Sequence, residues 1–375
     1  MSALLPPGII GIIGGGQLGQ MMIYRSKKLG FRFAVLDVKG SPAHSLADIV
    51  IEGSLKDKDA IEQLAKESDV LTYEIEHINT NALMDLHSKN CSIFPSPDVL
   101  HIIQDKLLQK ELFIKKGLPC APYFSDDINS IKKFPIVQKT RKEGYDGRGV
   151  KVLKSETDEI LKGASIFEEL IDIDKELAVM VSRSRDGSIA VFPVTEMAFN
   201  PDHNICDTVI APARVSEKIA EDAREIAVSV VKALDGVGIF GVELFLDKKG
   251  NVLLNEVAPR PHNSGHYTME ACVTCQFEQH VRAVTGLPLG DTKLLRPAVM
   301  LNLLGQAGSN GKMVLHGYEE AMKIPGLSIH LYGKNDVKPF RKMGHFTVSA
   351  DTIEEAVKKA EHIRSILKIS GDNKS

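Results

Sequence analysis

The sequence predicts a mixed α/β and α+β chain: an N-terminal doubly wound parallel sheet, a central α+β unit and a small C-terminal α/β unit. Three observations predict this. Over the first hundred residues, short apolar runs alternate with helix-spaced segments, the pattern of a parallel sheet with helices on its faces. From Pro135 to Asp247, strands separated by turn signals dominate. From Ala298 to Lys368, short strands lead into one final helix. Pro95-Ser96-Pro97 marks one expected boundary, and Pro288-Leu289-Gly290 with Arg296-Pro297 marks another. The expected units are therefore 1–98, 99–295 and 296–375.

Each element has a local reason. Ile9–Ile13 is an apolar run ending in Gly14-Gly15-Gly16, and Gln17–Leu29 has helical spacing through Leu18, Met21, Met22 and Leu29. Phe33–Leu36 and Val70–Tyr73 read as buried strands, Lys58–Lys66 and Asn81–Ser88 as helices, and Ser92–Phe94 as a further short strand. Asp105–Lys116 is a helix closed by Gly117 and Pro119. Strands are expected at Ile136–Thr140, Val150–Leu153, Leu177–Ser184, Ile189–Thr195 and Gly238–Asp247, interrupted by one long helix at Glu217–Leu234. Asp247-Lys248-Lys249-Gly250-Asn251 reads as a turn into Val252–Val257. The last helix is Ile353–Leu367, and Ser370–Ser375 reads as a frayed polar tail.

Composition bounds the function. The 375 residues are 43% hydrophobic and 25% charged, ordinary for a globular protein able to bury a core without staples. With 46 basic and 49 acidic residues the net charge is −3, which argues against a dedicated nucleic-acid binder. Five scattered cysteines suit a reducing compartment rather than a disulfide framework. The apolar start lacks a positive flank and is broken by Pro6-Pro7, so it reads as a lead-in to a strand rather than a signal peptide. No stretch approaches the roughly 20 apolar residues of a membrane span. A cytoplasmic, unanchored protein is the expectation.

Gly14-x-Gly16-x-x-Gly19 follows a predicted strand and opens a predicted helix, and Asp37 ends the next strand 18 residues after Gly19. Alone this resembles a dinucleotide fingerprint. The physics is less specific, because glycines before a helix N-terminus expose N–H groups to any phosphate, a sugar phosphate included. A second glycine loop, Gly144-Tyr145-Asp146-Gly147-Arg148-Gly149, joins two predicted strands. Three alternating glycines make a flap able to fold over a polyphosphate, with Lys139 at the end of the incoming strand and Tyr145 and Arg148 on the flap. No Gly-Lys-Ser/Thr follows, so it is not a Walker loop. Glu243 and Glu256 each interrupt an apolar strand, and the Gly250 turn makes those strands antiparallel neighbours. Carboxylates there need a cation or donors. Two acids with Asn255 suit Mg²⁺ held jointly with substrate phosphates. Asn263-Ser264-Gly265 is expected to begin a helix facing an anion. No Cys or acid joins His262 and His266 before Glu270, which argues against zinc. Cys272-x-x-Cys275 reads as two small residues within a packed helix.

Together these motifs resemble the ATP-grasp ligases. The order of GGGQLG (14–19), TYEIE (72–76), GYDGRG (144–149), NEVAPRPHNSGH (255–266), QFEQH (276–280), GLPLG (286–290) and RKMGH (341–345) narrows the resemblance to the 5-(carboxyamino)imidazole ribonucleotide synthetase family. The resemblance covers nearly the whole chain. It implies a pre-ATP-grasp N-terminal domain, a central ATP-grasp domain, and a reaction in which ATP, bicarbonate and aminoimidazole ribonucleotide give the N-carboxy product, ADP and phosphate in purine (IMP) biosynthesis. It implies ATP and Mg²⁺ as cofactors and a homodimer. Lys106 and Lys139 are then expected at the phosphates, with Gly144, Tyr145, Asp146, Gly147, Arg148, Gly149 and Val150 covering them. Glu168, Glu169, Leu170 and Ile171 are expected to edge the adenine, Glu176 to meet the ribose hydroxyls, and Glu243 and Glu256 to hold Mg²⁺ beside Asn255. Gln17, Leu18, Glu76, Asn263, His266, Lys334 and Arg341 match ribonucleotide positions, and Tyr145 and Arg148 bicarbonate positions. Asp146 and the released phosphate are the two candidates for removing the amine proton. Phe199 departs from the family pattern, standing where a nucleotide-contacting His is frequent, and Lys106 stands where Arg is frequent. Readings outside this one are another ATP-grasp acceptor, an oxidoreductase built on the first glycine loop, and a non-catalytic nucleotide sensor.

Overall fold

The computed structural model describes residues 2–125, 131, 133–142, 149–200 and 205–373. The first sheet contains β1 (Ile9–Ile13), β2 (Arg32–Asp37), β3 (Ile49–Glu52) and β4 (Val70–Tyr73), with helices α1 (Gln17–Ser26), α2 (Lys58–Lys66) and α3 (Thr80–Ser88) between and after them. Its order is β3-β2-β1-β4, all parallel. The chain reverses direction across the sheet at β1, so the crevice between the carboxyl ends of β1 and β4 is its topological switch point. Ile10, Ile12, Phe33 and Val35 face one core and Ile13, Leu36, Leu71 and Tyr73 another, as a sheet covered on both faces requires. The expected strand at Ser92–Phe94 is reduced to a single parallel bridge, Ile93 to Leu71. Pro95-Ser96-Pro97 does not simply break the chain. Ser96 caps α4 (Pro97–Ile103), with Pro97 in its first turn.

Helix α5 (Lys106–Lys115) leads into a small antiparallel sheet of order β5-β8-β6-β7: β5 (Tyr123–Ser125), β6 (Ile136–Thr140), β7 (Val150–Leu153) and β8 (Ser165–Glu169). β6 and β7 lie where the turn pattern placed them, with Lys139 opposite Val150. A larger sheet follows: β9 (Ile173–Arg183), β10 (Ile189–Val191), β11 (Thr195–Asn200), β12 (Ile205–Ala211), then, after helix α6 (Glu217–Ala233), β13 (Gly238–Asp247) and β14 (Val252–Ala258). The run expected as one strand at Ile189–Thr195 is split in two: β10 pairs back on β9, and a new strand starts at Thr195. Pro193 lacks the N–H that a continuous ladder would need.

Helices α7 (Thr268–Ala271) and α8 (Gln276–Thr285) carry the chain to β15 (Ala298–Leu304), β16 (Gly311–His316), α9 (Tyr318–Ala321), β17 (Leu327–Leu331), β18 (Asp336–Val337), β19 (Lys342–Ser349), α10 (Ile353–Ile366) and β20 (Lys368–Gly371). β15, β19 and β17 continue the larger sheet, whose order is β14-β13-β9-β11-β12-β15-β19-β17. Three sequence expectations change here. Cys272 and Cys275 sit between helices, as C-cap of α7 and N-cap of α8, because α7 has only four residues. Asn263–Gly265 is a single 3-10 turn, with His262 as its cap. The tail is not frayed from Ser370: β20 pairs antiparallel with β16, and Ile369 is buried. All five cysteines are free. No described helix is long and apolar enough to cross a membrane.

Candidate active site

The site lies where the small sheet faces the β13–β14 edge of the large one. The Asp247 carboxylate closes the turn, accepting from the backbone of Lys249 and Asn251. That turn sets the register, and Glu243 falls directly opposite Glu256. One residue later the pairing slips, Leu244 facing Leu254, so Asn255 is the extra residue of a β-bulge. A bulge re-aims side chains that strict alternation would send to opposite faces. Asn255 and Glu256 accordingly both reach the cleft: Asn255 Nδ2 lies 3.4 Å from Glu243 Oε2, and Lys106 Nζ lies 2.6 Å from Glu256 Oε2.

Two lysines cross to this edge. Lys106 opens α5, whose N-cap Asp105 accepts from Leu107 N and takes a two-pronged bond from Arg141, at 2.9 and 2.6 Å. Arg141 follows β6, so this fork ties the start of α5 to the strand that carries Lys139. Lys139 Nζ reaches Asn255 Oδ1 at 3.0 Å. It also meets Glu168 Oε2 at 2.8 Å, while Lys110 Nζ lies 2.7 Å from Glu168 Oε1. Glu168 is 2% exposed, so its side chain holds two ammonium groups rather than facing a ligand. Lys106, Lys139, Asn255, Glu256 and Glu168 line one cavity, together with Lys110 and Phe113.

The electrostatics are uneven. Desolvation, with Glu256 and Glu176 as like-charged neighbours, pushes the Glu243 carboxyl up to about 8. Burial works the same way on Glu256, yet Lys106 overcomes it and holds that carboxyl below its ordinary value. Burial also works against the charge on Lys106, and Glu256 and Glu243 restore it to above the ordinary lysine value. Glu176, opposite Phe245 in the register, is raised to about 7 by desolvation. A divalent cation fits this donor set. Glu243 and Glu256 stand in register with Asn255 beside them, only Glu256 of the two acids is bonded to Lys106, and the three candidate donors are all oxygens.

The other expected residues are distributed around this centre. Glu169 meets Lys133 at 3.4 Å, Leu170 is exposed and Ile171 half-buried. Gly149 and Val150 begin β7 and its approach, whereas Gly144, Tyr145, Asp146, Gly147 and Arg148 lie outside the described residues. Phe199 packs with Cys206 and Leu294 against the core around Met197 and Tyr267. His262 Nε2, 3.4 Å from Glu243, begins a second group. Two residues earlier Arg260 pairs with Glu76 at 2.9 Å, beyond the end of β4. Asn263 and Asn302 exchange amide bonds at 2.9 Å, and His266 is buried against Gln276. Lys334 bonds Lys342 O at 2.8 Å and Arg341 bonds Asp336 O at 2.8 Å. Tyr24 of α1 touches His330 of β17 at 3.0 Å, which brings the Lys334 segment towards the helix that carries Gln17 and Leu18. Leu18 itself is buried in the core, so only its backbone is available to a ligand. Sequence reasoning did not single out Lys110, Glu74 or the pairing of Arg260 with Glu76. Lys110 sits on an otherwise unremarkable helix, but Glu74 and Arg260 lie inside two of the quoted motifs.

Comparison with known proteins agrees with this arrangement. A ribonucleotide synthetase preATP-grasp domain model matches residues 8–104, an ATP-grasp domain model 115–277, and a phosphoribosylaminoimidazole carboxylase C-terminal domain model 298–359. The chain is 41% identical to the phosphoribosylaminoimidazole carboxylase of Ogataea methanolica and 40% identical to that of Candida albicans, spanning 68% and 66% of their lengths. It is 40% identical to the N5-carboxyaminoimidazole ribonucleotide synthase of Bacillus subtilis, with 95% of both chains covered. The crystal structure of the Thermotoga maritima synthetase superposes with a TM-score of 0.91 at 52% identity, covering 97% of this chain and 100% of that one. The Aspergillus clavatus synthase, crystallised with ADP and 5-aminoimidazole ribonucleotide, superposes with a TM-score of 0.87 at 36% identity, covering 96% and 98%. Matched along nearly its whole length by synthetases of the same architecture, the chain belongs to the N5-carboxyaminoimidazole ribonucleotide synthetase family of ATP-grasp ligases.

Proposed function

We propose that this chain is an ATP-dependent carbon–nitrogen ligase that carboxylates the exocyclic amine of 5-aminoimidazole ribonucleotide with bicarbonate. The observation that carries this reading is the in-register Glu243–Glu256 pair beside Lys106 and Lys139. Bicarbonate is a poor electrophile, so its oxygen first attacks the γ-phosphorus of ATP and the bond to ADP breaks. The amine then attacks the carbonyl carbon of the resulting carboxyphosphate, or CO₂ released from it, and inorganic phosphate departs. The amine proton passes to Asp146 or to that phosphate. Lys106 and Lys139 spread charge over the phosphate oxygens in the transfer. Glu243 and Glu256, with Asn255 beside them, would hold Mg²⁺, which when bound neutralises charge on the phosphates. The Gly144–Val150 segment would cover the phosphates and keep water from the short-lived acyl phosphate, with Tyr145 and Arg148 at the bicarbonate.

Gln17, Leu18, Glu76, Asn263, His266, Lys334 and Arg341 are proposed for the ribonucleotide. Glu168 through its backbone, with Glu169, Leu170, Ile171 and Glu176, is proposed for the nucleoside of ATP, with Phe199 nearby. Division at 98 and 295, a homodimer and a cytoplasmic location complete the proposal, and the five free thiols support the last.

The test is ADP release from ATP, Mg²⁺ and bicarbonate, with and without the ribonucleotide. A strong ribonucleotide-dependent rise is expected. ADP release indifferent to that nucleotide would assign a different acceptor. Arg148→Ala should cut turnover strongly while sparing ATP binding, and equal loss of both would remove Arg148 from the bicarbonate site.

A further inference from the structure

The first glycine loop is filled by the protein itself. Glu74 leaves the end of β4 and enters the switch-point crevice, where its carboxylate accepts Gly16 N at 2.7 Å and Gly19 N at 2.8 Å. Asp37 Oδ2 accepts Gly15 N at 2.7 Å, and Gly14 N is bonded to Leu36 O. These are the N–H groups that a glycine loop before a helix would otherwise offer to a phosphate. Glu74 is 8% exposed, and burial pushes its carboxyl up while the two N–H bonds and Arg260 act against that.

The glycines themselves are shaped to this carboxylate. A Cβ at Gly14 would sit 2.6 Å from Glu74 Cγ, and one at Gly16 would sit 2.5 Å from Glu74 Oε1. Gly19 answers to the loop itself, its Cβ falling 2.8 Å from Gly14 O. Gly16 has φ −72°, which any residue adopts, so contact with Glu74 and not backbone strain excludes a side chain there.

We propose that Glu74 is the resident anion of the glycine loop, a positioning and specificity-determining residue. It closes the switch-point crevice to a dinucleotide pyrophosphate and fixes the first turn of α1. Two carboxylates, Glu74 and Asp37, stand where a pyrophosphate would need donors, and like charges repel it. The first turn then presents Gln17 N and Leu18 N, to which the described structure gives no acceptor, in one geometry towards an incoming phosphate. This last clause rests on the proposed ribonucleotide reading, whereas the closure of the loop does not.

A double-mutant cycle tests the closure. Gly16→Ala should lower the melting midpoint of the full chain by about 3 °C or more. In a Glu74→Ala background it should cost little, because the obstructing oxygen is gone. Glu74→Asp, which keeps the charge but retracts it by one methylene, is run in parallel in case the alanine variant does not fold. Inorganic phosphate, at matched ionic strength, should raise the midpoint of Glu74→Ala more than that of wild type, because the vacated N–H groups donate to its oxygens. An equal cost of Gly16→Ala with and without Glu74, or a Glu74→Ala variant no more responsive to phosphate than wild type, overturns the proposal. Positioning is read separately. Glu74→Asp should raise KM for the ribonucleotide about tenfold with KM for ATP unchanged, and a parallel rise in both would reduce Glu74 to a structural role. If wild type shows no ribonucleotide dependence, the acceptor reading fails while the cycle still decides the closure.

Discussion

Lys139 and Glu168 lie 2.8 Å apart, and the second oxygen of Glu168 is engaged by Lys110. The carboxylate aims Lys139 from behind while Asn255 receives it in front. Removing the charge of Glu168 leaves Lys110 buried without its counter-ion. Breaking a buried pair in this way costs about 3–5 kcal/mol. Glu168→Gln should therefore lower the denaturation midpoint and raise KM for ATP together, measured by denaturant titration and steady-state kinetics.

Cation binding should release protons. Burial and the like charges of Glu256 and Glu176 push the Glu243 carboxyl well above the ordinary carboxylate range, so a proton competes with an incoming ion for it. Affinity for Mg²⁺ should rise as pH climbs towards 8. Calorimetry in buffers of different ionisation enthalpy should find protons released as the ion binds. Glu243→Gln should bind more weakly and release fewer. The sign for stability is opposite. A carboxyl raised from 4.5 to about 8 makes the metal-free fold lose stability as pH rises through that window.

His280 predicts acid sensitivity at the junction between β4 and β13. Ile239 N donates to its Nδ1 at 3.1 Å, so Nε2 carries the proton given to Thr72 Oγ1 at 2.7 Å. Burial lowers its pKa from 6.5 to about 3. The folded state then binds fewer protons than the unfolded one between those values. The stability this histidine contributes is lost as pH falls from 6.5 towards 3, by about 1.4 kcal/mol per pH unit. Denaturant titrations at several pH values should show a shallower acid slope in His280→Gln than in wild type.

Tyr24, His330 and Glu270 form a relay from α1 through β17 to α7, at 3.0 Å on each side of the imidazole. His330 also stacks on His345, with centroids 4.6 Å apart. His330→Ala should remove about 1–2 kcal/mol through two lost hydrogen bonds and speed proteolytic cleavage of residues 311–373, measured against wild type under native conditions.

Local signals made several elements legible. The Asp247–Asn251 turn announced the β13–β14 hairpin, and apolar spacing bounded β1 and α2 at the residues observed. Those signals also delivered the Glu243–Glu256 pair, because a short turn sets register within a few residues. What they could not carry is contact at long range. Lys110 and Glu168 are 58 positions apart, as are Gly16 and Glu74, and neither pair follows from any periodicity. The Asn255 bulge is invisible for a related reason: the slip belongs to the pairing of two strands and not to the composition of either. The first glycine loop misleads most when read alone, since its spacing fits a pyrophosphate and its own Glu74 equally well.

The run of β12 into β15, β19 and β17 bears on how the protein can be cut. A fragment ending at 295 would expose β12 as a raw edge, its Thr208–Ala211 ladder to Leu301–Ala298 lost. Unprotected edges of that kind recruit strands from other molecules. A truncated core is thus expected to precipitate or swap strands, and the C-terminal segment is poorly suited to exchange between relatives as a self-contained module. Among the described residues the small β5–β8 sheet shares no ladder with its neighbours and is held to them by side chains, Lys139 on Asn255 and Glu168 on Lys110.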